Sequence, residues 1–183
     1  MSNKTKSIFN ILGILLIIMG VSFVPAIIVA ILYKEYSSLS ALAVVAFPCC
    51  ILGFLATKIL KPSLTELKVR DGFLIVSLSW IIASVVGALP FVISGSIPSF
   101  VDAFFETASG FSTTGASILN DIESLPKSIL FWRSFTHWLG GMGIIVLLMA
   151  LIPTLWISGQ NVASSETPGP TLDKLTPRFA DTA

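Results

Sequence analysis

Four long apolar runs dominate the chain, roughly Ile8 to Leu32, Leu39 to Leu60, Phe73 to Ile93 and Pro126 to Ile152, with polar residues gathered between them. A helix needs about 20 apolar residues to cross a hydrocarbon core, so each run predicts one membrane span. The first follows Lys4 and Lys6 as a signal peptide would. Its apolar stretch exceeds the ~7–15 residues of a signal core, however, and Tyr33-Lys34-Glu35 is no small-residue cleavage site, so it reads as a retained span. Pro25 and Pro48 fall inside the first two runs, where they would kink a helix.

The interval between the third and fourth runs has its own pattern. Pro98 to Ser109 predicts a short helix, with Pro98 at a first helical position and Gly110 just past the end. At ~1.5 Å per residue it reaches only about 18 Å, which fits a re-entrant segment rather than a span. The next residues, Gly110-Phe111-Ser112-Thr113-Thr114-Gly115-Ala116, would be non-helical backbone at membrane depth. Lipid tolerates such backbone only where it is buried in protein or lines a watery path.

Composition agrees with a membrane setting. Of 183 residues, 54% are hydrophobic and 11% charged, and the mean hydropathy is +0.91, too little polar surface to cover a soluble globule. A net charge of +1 offers no concentrated basic patch, which argues against a nucleic-acid partner; the surroundings are membrane lipid. Cys49 and Cys50 are adjacent in an apolar run and read as packing residues. Neither an internal repeat nor a low-complexity tract is present.

Lysine and arginine set an orientation. Lys4, Lys6, Lys58, Lys61, Lys68 and Arg70 place the N-terminus and the second connection in the cytoplasm. Asp102, Glu106, Asp121 and Glu123, against the single Lys127, place the third connection outside. The polar tail after Pro153 then lies inside. The expected fold is an all-α membrane protein of four transmembrane helices with one re-entrant pore helix and filter loop. Residues 1–70 hold two N-terminal helices, 71–153 a helix, pore-loop, helix repeat, and 154–183 a cytoplasmic tail.

A cation entering a low-dielectric medium must have its water replaced, at a Born cost of tens of kcal/mol. Consecutive carbonyls of extended backbone can do this, as in the TVGYG loop of potassium channels. Gly115 permits angles closed to other residues, Thr113 and Thr114 can pin the loop through their hydroxyls, and the short helix would aim its negative end at the site. A Ser/Thr/Gly loop is also how ordinary turns are built, and spacing alone leaves both readings open.

The strings FFETASGFSTTGASIL and FWRSFTHWLGGMGIIVLLMALIP, followed by SSETPGPTLDKLTPR, resemble the first pore repeat of the TrkH/KtrB family of bacterial potassium uptake proteins. The two spans ahead of them resemble its TrkH branch. The resemblance implies potassium, sometimes sodium, as the ion and no covalent cofactor. It implies four repeats around one path, a homodimer of complete chains in the bacterial cell membrane, and a TrkA-like cytoplasmic nucleotide-binding regulatory subunit. By motif position Ser112, Thr113, Thr114 and Gly115 form this repeat's share of the filter, with potassium at Thr113 and Thr114. Because the sequence stops after one repeat, it is expected to be a fragment or a shortened gene.

Other residues admit two readings. Arg133 and His137 share a face of the fourth run, either as a structural anchor paired with the acidic linker or with a direct influence on permeation. Asp102 and Glu106, also four apart, read as a solvated outer-mouth face that attracts cations. Gly140, Gly141 and Gly143 read as one close-packing surface. Ser109 and His137 faintly resemble the pair of an intramembrane serine protease, but no GxSxG elbow is present. A purely structural subunit explains the hydropathy and leaves the loop unexplained.

The orientation predicts which cysteines an impermeant thiol reagent reaches on intact cells. In a background lacking Cys49 and Cys50, Ser37→Cys and Asn120→Cys should label, whereas Ser63→Cys and Ser165→Cys should not. Labelling of Ser63→Cys without Asn120→Cys would reverse the assignment.

Overall fold

Proline and glycine decide where the first helices break and how closely they pack. Helix α1 (Asn3–Ser22) and helix α2 (Val24–Leu32) part at Phe23, because Pro25, in the first turn of α2, has no N–H to continue the ladder. Helix α3 (Tyr36–Ile59) runs on through Pro48 as a single helix. Helices α4 (Val69–Ile93) and α5 (Phe100–Phe111) follow, and α6 covers 127–143. The structure, a computed structural model, describes residues 3–60 and 69–143. Residues up to Gly143 cluster as one unit and Ile144–Ala183 as another.

Three helical stretches among the described residues are long and apolar enough to cross a membrane: Thr5–Leu32, Tyr36–Ile59 and Arg70–Ile93. The described residues are all-helical, with no strand. The fourth expected run is helical from 127 to 143. Its remainder, the basic residues Lys61 and Lys68 and the expected tail lie outside the described residues.

Small residues bring α1 and α3 together. A Cβ on Gly53 would sit 2.5 Å from the Gly13 carbonyl oxygen, and one on Gly20 would sit 2.4 Å from Cys50 Sγ. Such contacts drive helix association where the surrounding lipid supplies no hydrophobic difference. At the far end of α3, Asn10 Nδ2 donates to the Leu60 carbonyl at 2.9 Å, satisfying a helix-terminal acceptor.

Trp132 of α6 is the centre of the core. It is fully buried, its ring lies 4.1 Å from that of Phe23 at the α1–α2 break, and its indole N–H donates to the Gly87 carbonyl of α4 at 3.0 Å. A buried indole needs such an acceptor. One side chain therefore joins the break in the first span, α4 and α6.

Glu35, in the turn between α2 and α3, caps α6 from 92 residues away. Its carboxylate accepts the Lys127 amide at 2.6 Å and the Ser128 amide at 2.9 Å, and the Ser128 hydroxyl donates to it as well. These amides belong to the first turn of α6, where donors have no partner within the helix and negative charge is favoured. Burial pushes the Glu35 carboxyl up; the Ser128 hydroxyl, the Ser128 and Lys127 amides and the Lys127 charge outweigh it and hold the group below its ordinary value. A depressed folded-state pKa contributes stability that is present above the unfolded value of ~4.3 and is lost as pH falls through the folded value. Thermal unfolding of the complete protein in detergent should thus include an acid-labile component below about pH 4.5. Glu35→Gln should remove it, and an unchanged acid profile in that variant would contradict the capping role.

Candidate functional site

Ser99 starts the short helix. Its hydroxyl accepts the Asp102 amide at 3.4 Å as an N-cap, with Asp102 placing negative charge in the first turn. The helix therefore covers Phe100–Phe111, two residues later at each end than the sequence predicts. Pro98 lies outside it and Gly110 inside its last turn. Gly110 is there for space: a Cβ would lie 2.2 Å from Thr136 Oγ1.

The helix ends in a double hydrogen bond. Thr113 N donates to Gly110 O at 2.9 Å and Thr114 N to Ser109 O at 3.0 Å, the Schellman pattern that satisfies the last carbonyls. The pattern needs a left-handed residue, usually glycine, and here it is Thr113, at φ 56°. Gly115 adopts the second positive angle, φ 77°, with open space around its missing Cβ. Hydroxyls brace the turn: Ser112 Oγ and Thr114 Oγ1 are 2.8 Å apart, and Thr113 Oγ1 donates to the Ser112 carbonyl at 2.7 Å. Residues 112–116 are exposed.

The residues that follow the loop, Ala116 to Leu119, here called the descending limb in chain order, are held against α5 by residues the sequence reading gave other roles. Ser109 Oγ donates to the Ala116 carbonyl at 2.6 Å. Glu106 accepts Ser117 Oγ at 3.0 Å on both oxygens and the Ile118 amide at 3.1 Å, and Arg133 Nε at 2.5 Å. The expected solvated face therefore does not form at Glu106, which is 1% exposed. A charged group so placed must be paired, and Arg133 is within reach on α6. Asp102 is half-buried at the helix start.

Helix α6 backs the second half of α5, the two running in the same direction. Arg133 meets Glu106, Thr136 meets Gly110, and Gly140 meets Phe111, whose carbonyl oxygen would lie 2.0 Å from a Cβ on Gly140. The three glycines are thus not one surface. Gly140 touches the end of α5, and a Cβ on Gly141 would make only an ordinary 3.8 Å contact with Thr113. His137 Nδ1 lies 3.1 Å from the Arg133 carbonyl within α6. The Ser109 hydroxyl is committed to Ala116, so the protease pairing is not formed.

The structure thus brings Ser112, Thr113, Thr114 and Gly115 into one exposed loop, and places Glu106 and Arg133 behind it. Sequence reasoning missed Ser109 and Ser117 as braces, because a hydroxyl's partner is not visible in spacing. Of its two readings of Arg133, the anchor paired with the acidic linker is the one the structure shows, with Glu106 as the partner that spacing did not single out.

The family model for TrkH, described as a cation transport protein, matches residues 41–182. The chain is 42% identical over 180 residues to the Trk system potassium uptake protein TrkH of Vibrio parahaemolyticus, covering 97% of this chain and 37% of that protein. It is 39% identical to TrkG of Escherichia coli over 184 residues, covering 100% of this chain and 38% of that one. The crystal structure of the potassium transporter TrkH from Vibrio parahaemolyticus superposes with a TM-score of 0.76 at 41% identity, covering 85% of this chain and 33% of that one. The chain therefore spans a little over a third of the length of the curated relatives it matches.

The two glycines give a direct comparison. Gly140→Ala must displace backbone at the end of α5 and should destabilise the complete protein by about 1–3 kcal/mol, read as a lowered midpoint in detergent. Gly141→Ala should stay within about 0.5 kcal/mol of the parent. Equal effects would mean that Phe111 and Gly140 are not in the contact described.

Proposed function

This chain belongs to the TrkH family of cation transport proteins, and from that premise we propose that it contributes one wall of a potassium-selective path through the bacterial cell membrane. In this reading α4, α5, the loop and α6 form a helix, pore-loop, helix repeat. Helix α6 completes a fourth span, and α5 with the loop is re-entrant. The carbonyls of Ser112, Thr113, Thr114 and Gly115 replace part of the ion's water, and potassium rests beside Thr113 and Thr114.

One observation carries the proposal. Four exposed residues, Ser112 to Gly115, are fixed at both ends, by the double hydrogen bond that the Thr113 and Thr114 amides make to α5 and by the brace at Ala116 to Ile118. A loop fixed at both ends can hold carbonyls at set distances from an ion without reorganising as the ion arrives. The negative end of α5 lies beside it and favours a cation. An ordinary surface turn would not need a buried carboxylate behind it.

The described loop supplies one side of such a path, so the remaining sides come from further repeats of the complete protein. The two Escherichia coli and Vibrio relatives are named as Trk system potassium uptake proteins. On that basis the complete protein imports potassium; the resemblance of its pore-repeat strings to the family further implies a TrkA-like cytoplasmic nucleotide-binding subunit and a homodimer of complete chains. Asp102 and the outer linker add negative potential at the entrance.

Gly115 tests the reading. Within this repeat a Cβ on Gly115 meets nothing, and the left-handed angle alone costs a side chain roughly 1–2 kcal/mol. Rubidium uptake by the complete protein, in cells lacking other potassium importers, should fall or lose its discrimination against sodium. Uptake and discrimination equal to the parent's would refute the filter role.

A further inference from the structure

We propose that the Glu106–Arg133 ion pair is a positioning device for the loop: it fixes the height of the descending limb and thereby sets how strictly the path discriminates potassium from sodium. The inference rests on the conducting role proposed above and adds two residues that do not touch the ion.

The connectivity of the pair is the argument. Glu106 Oε1 takes Arg133 Nε and Ser117 Oγ, and Oε2 takes Ser117 Oγ and the Ile118 amide. Ser117 Oγ in turn accepts the Leu119 amide at 3.1 Å. One carboxylate thus sets the position of three consecutive residues immediately after the loop. Three donors of different kinds converge on it, and only a group that accepts on both oxygens can serve them all; a glutamine would turn an NH₂ towards one of them.

Stability alone does not account for such a pair. Taking two charges out of water is costly, and apolar residues of the same volume often serve as well. Here Glu106 is 1% and Arg133 13% exposed, so the desolvation is incurred, and what the pair supplies in addition is geometry. Arg133 is anchored in α6, one turn before Thr136 and two before Gly140, the residues that seat α5. A shift of α6 therefore reaches the limb through a short, directional contact. Because the pair is neutral as a unit, its effect on a passing cation comes from where it places the carbonyls and not from added charge.

The test uses the complete protein in liposomes, with the permeability ratio of potassium to sodium as the readout. Amount in the membrane and thermal midpoint are measured alongside. Glu106→Gln and Arg133→Gln should each lower the ratio by at least about tenfold, since each leaves a buried group unpaired. Combining them removes both charges, and the loss should be smaller than the product of the two single losses. Ser117→Ala deletes one hydroxyl and leaves the ion pair in place; it should lower the ratio by about threefold at a normal thermal midpoint. If the charged variants fail to reach the membrane, this last variant decides the matter. A parent protein that is selective together with a Ser117→Ala ratio equal to the parent's, or multiplicative losses in the double variant, would overturn the positioning role alone. An unselective parent would overturn the conducting role and this inference with it.

Discussion

Backbone polar groups left over where a helix ends must find partners elsewhere in the protein, and the loop after α5 is built around that constraint. Its ascending end is met by α5 itself, through Ser109 and Gly110 carbonyls that accept the Thr113 and Thr114 amides. Its descending end is met by side chains, Ser109 at Ala116 and Glu106 at Ser117 and Ile118. The second set brings a carboxylate into the interior, and the carboxylate requires Arg133. The position of α6 follows from there.

The rest of the bundle holds α6 in that position. Glu35 binds its first turn from the α2–α3 connection, and Trp132 joins it to Phe23 and to the Gly87 carbonyl. Gly87 also admits Thr107 of α5, whose methyl would lie 2.6 Å from a Cβ there. The N-terminal hairpin is therefore coupled to the loop through α6, although it contributes no residue to it.

Much of this was legible in the sequence because it depends on length and local chemistry. The first three spans follow from apolar run length, and the short helix from a run too brief to span. Gly115 was identified from the need for a positive φ, and it has one. What escaped was whatever depends on distant partners. The helix boundaries slipped by two residues because Pro98 and Ser99 both make plausible starts, and the choice rests on whether the Ser99 hydroxyl finds the Asp102 amide. Glu106 was read as solvated from its four-residue spacing to Asp102, whereas Arg133, 27 residues on, determines its surroundings. Gly110 was expected just past the end of α5 but lies inside its last turn, where it admits Thr136, and the left-handed residue that closes the helix is Thr113.

The chain belongs to the TrkH family and spans a little over a third of the length of the curated relatives it matches. One loop offers carbonyls on one side of an axis, and a cation needs them around it. The central claim is that the carbonyls of Ser112 to Gly115 lie against the ion path. Crystals of the complete protein grown with thallium, which substitutes for potassium and scatters anomalously, would place the ion directly. The account predicts anomalous peaks within coordinating distance of those four carbonyls, and peaks that avoid this loop while occupying another part of the protein would contradict it.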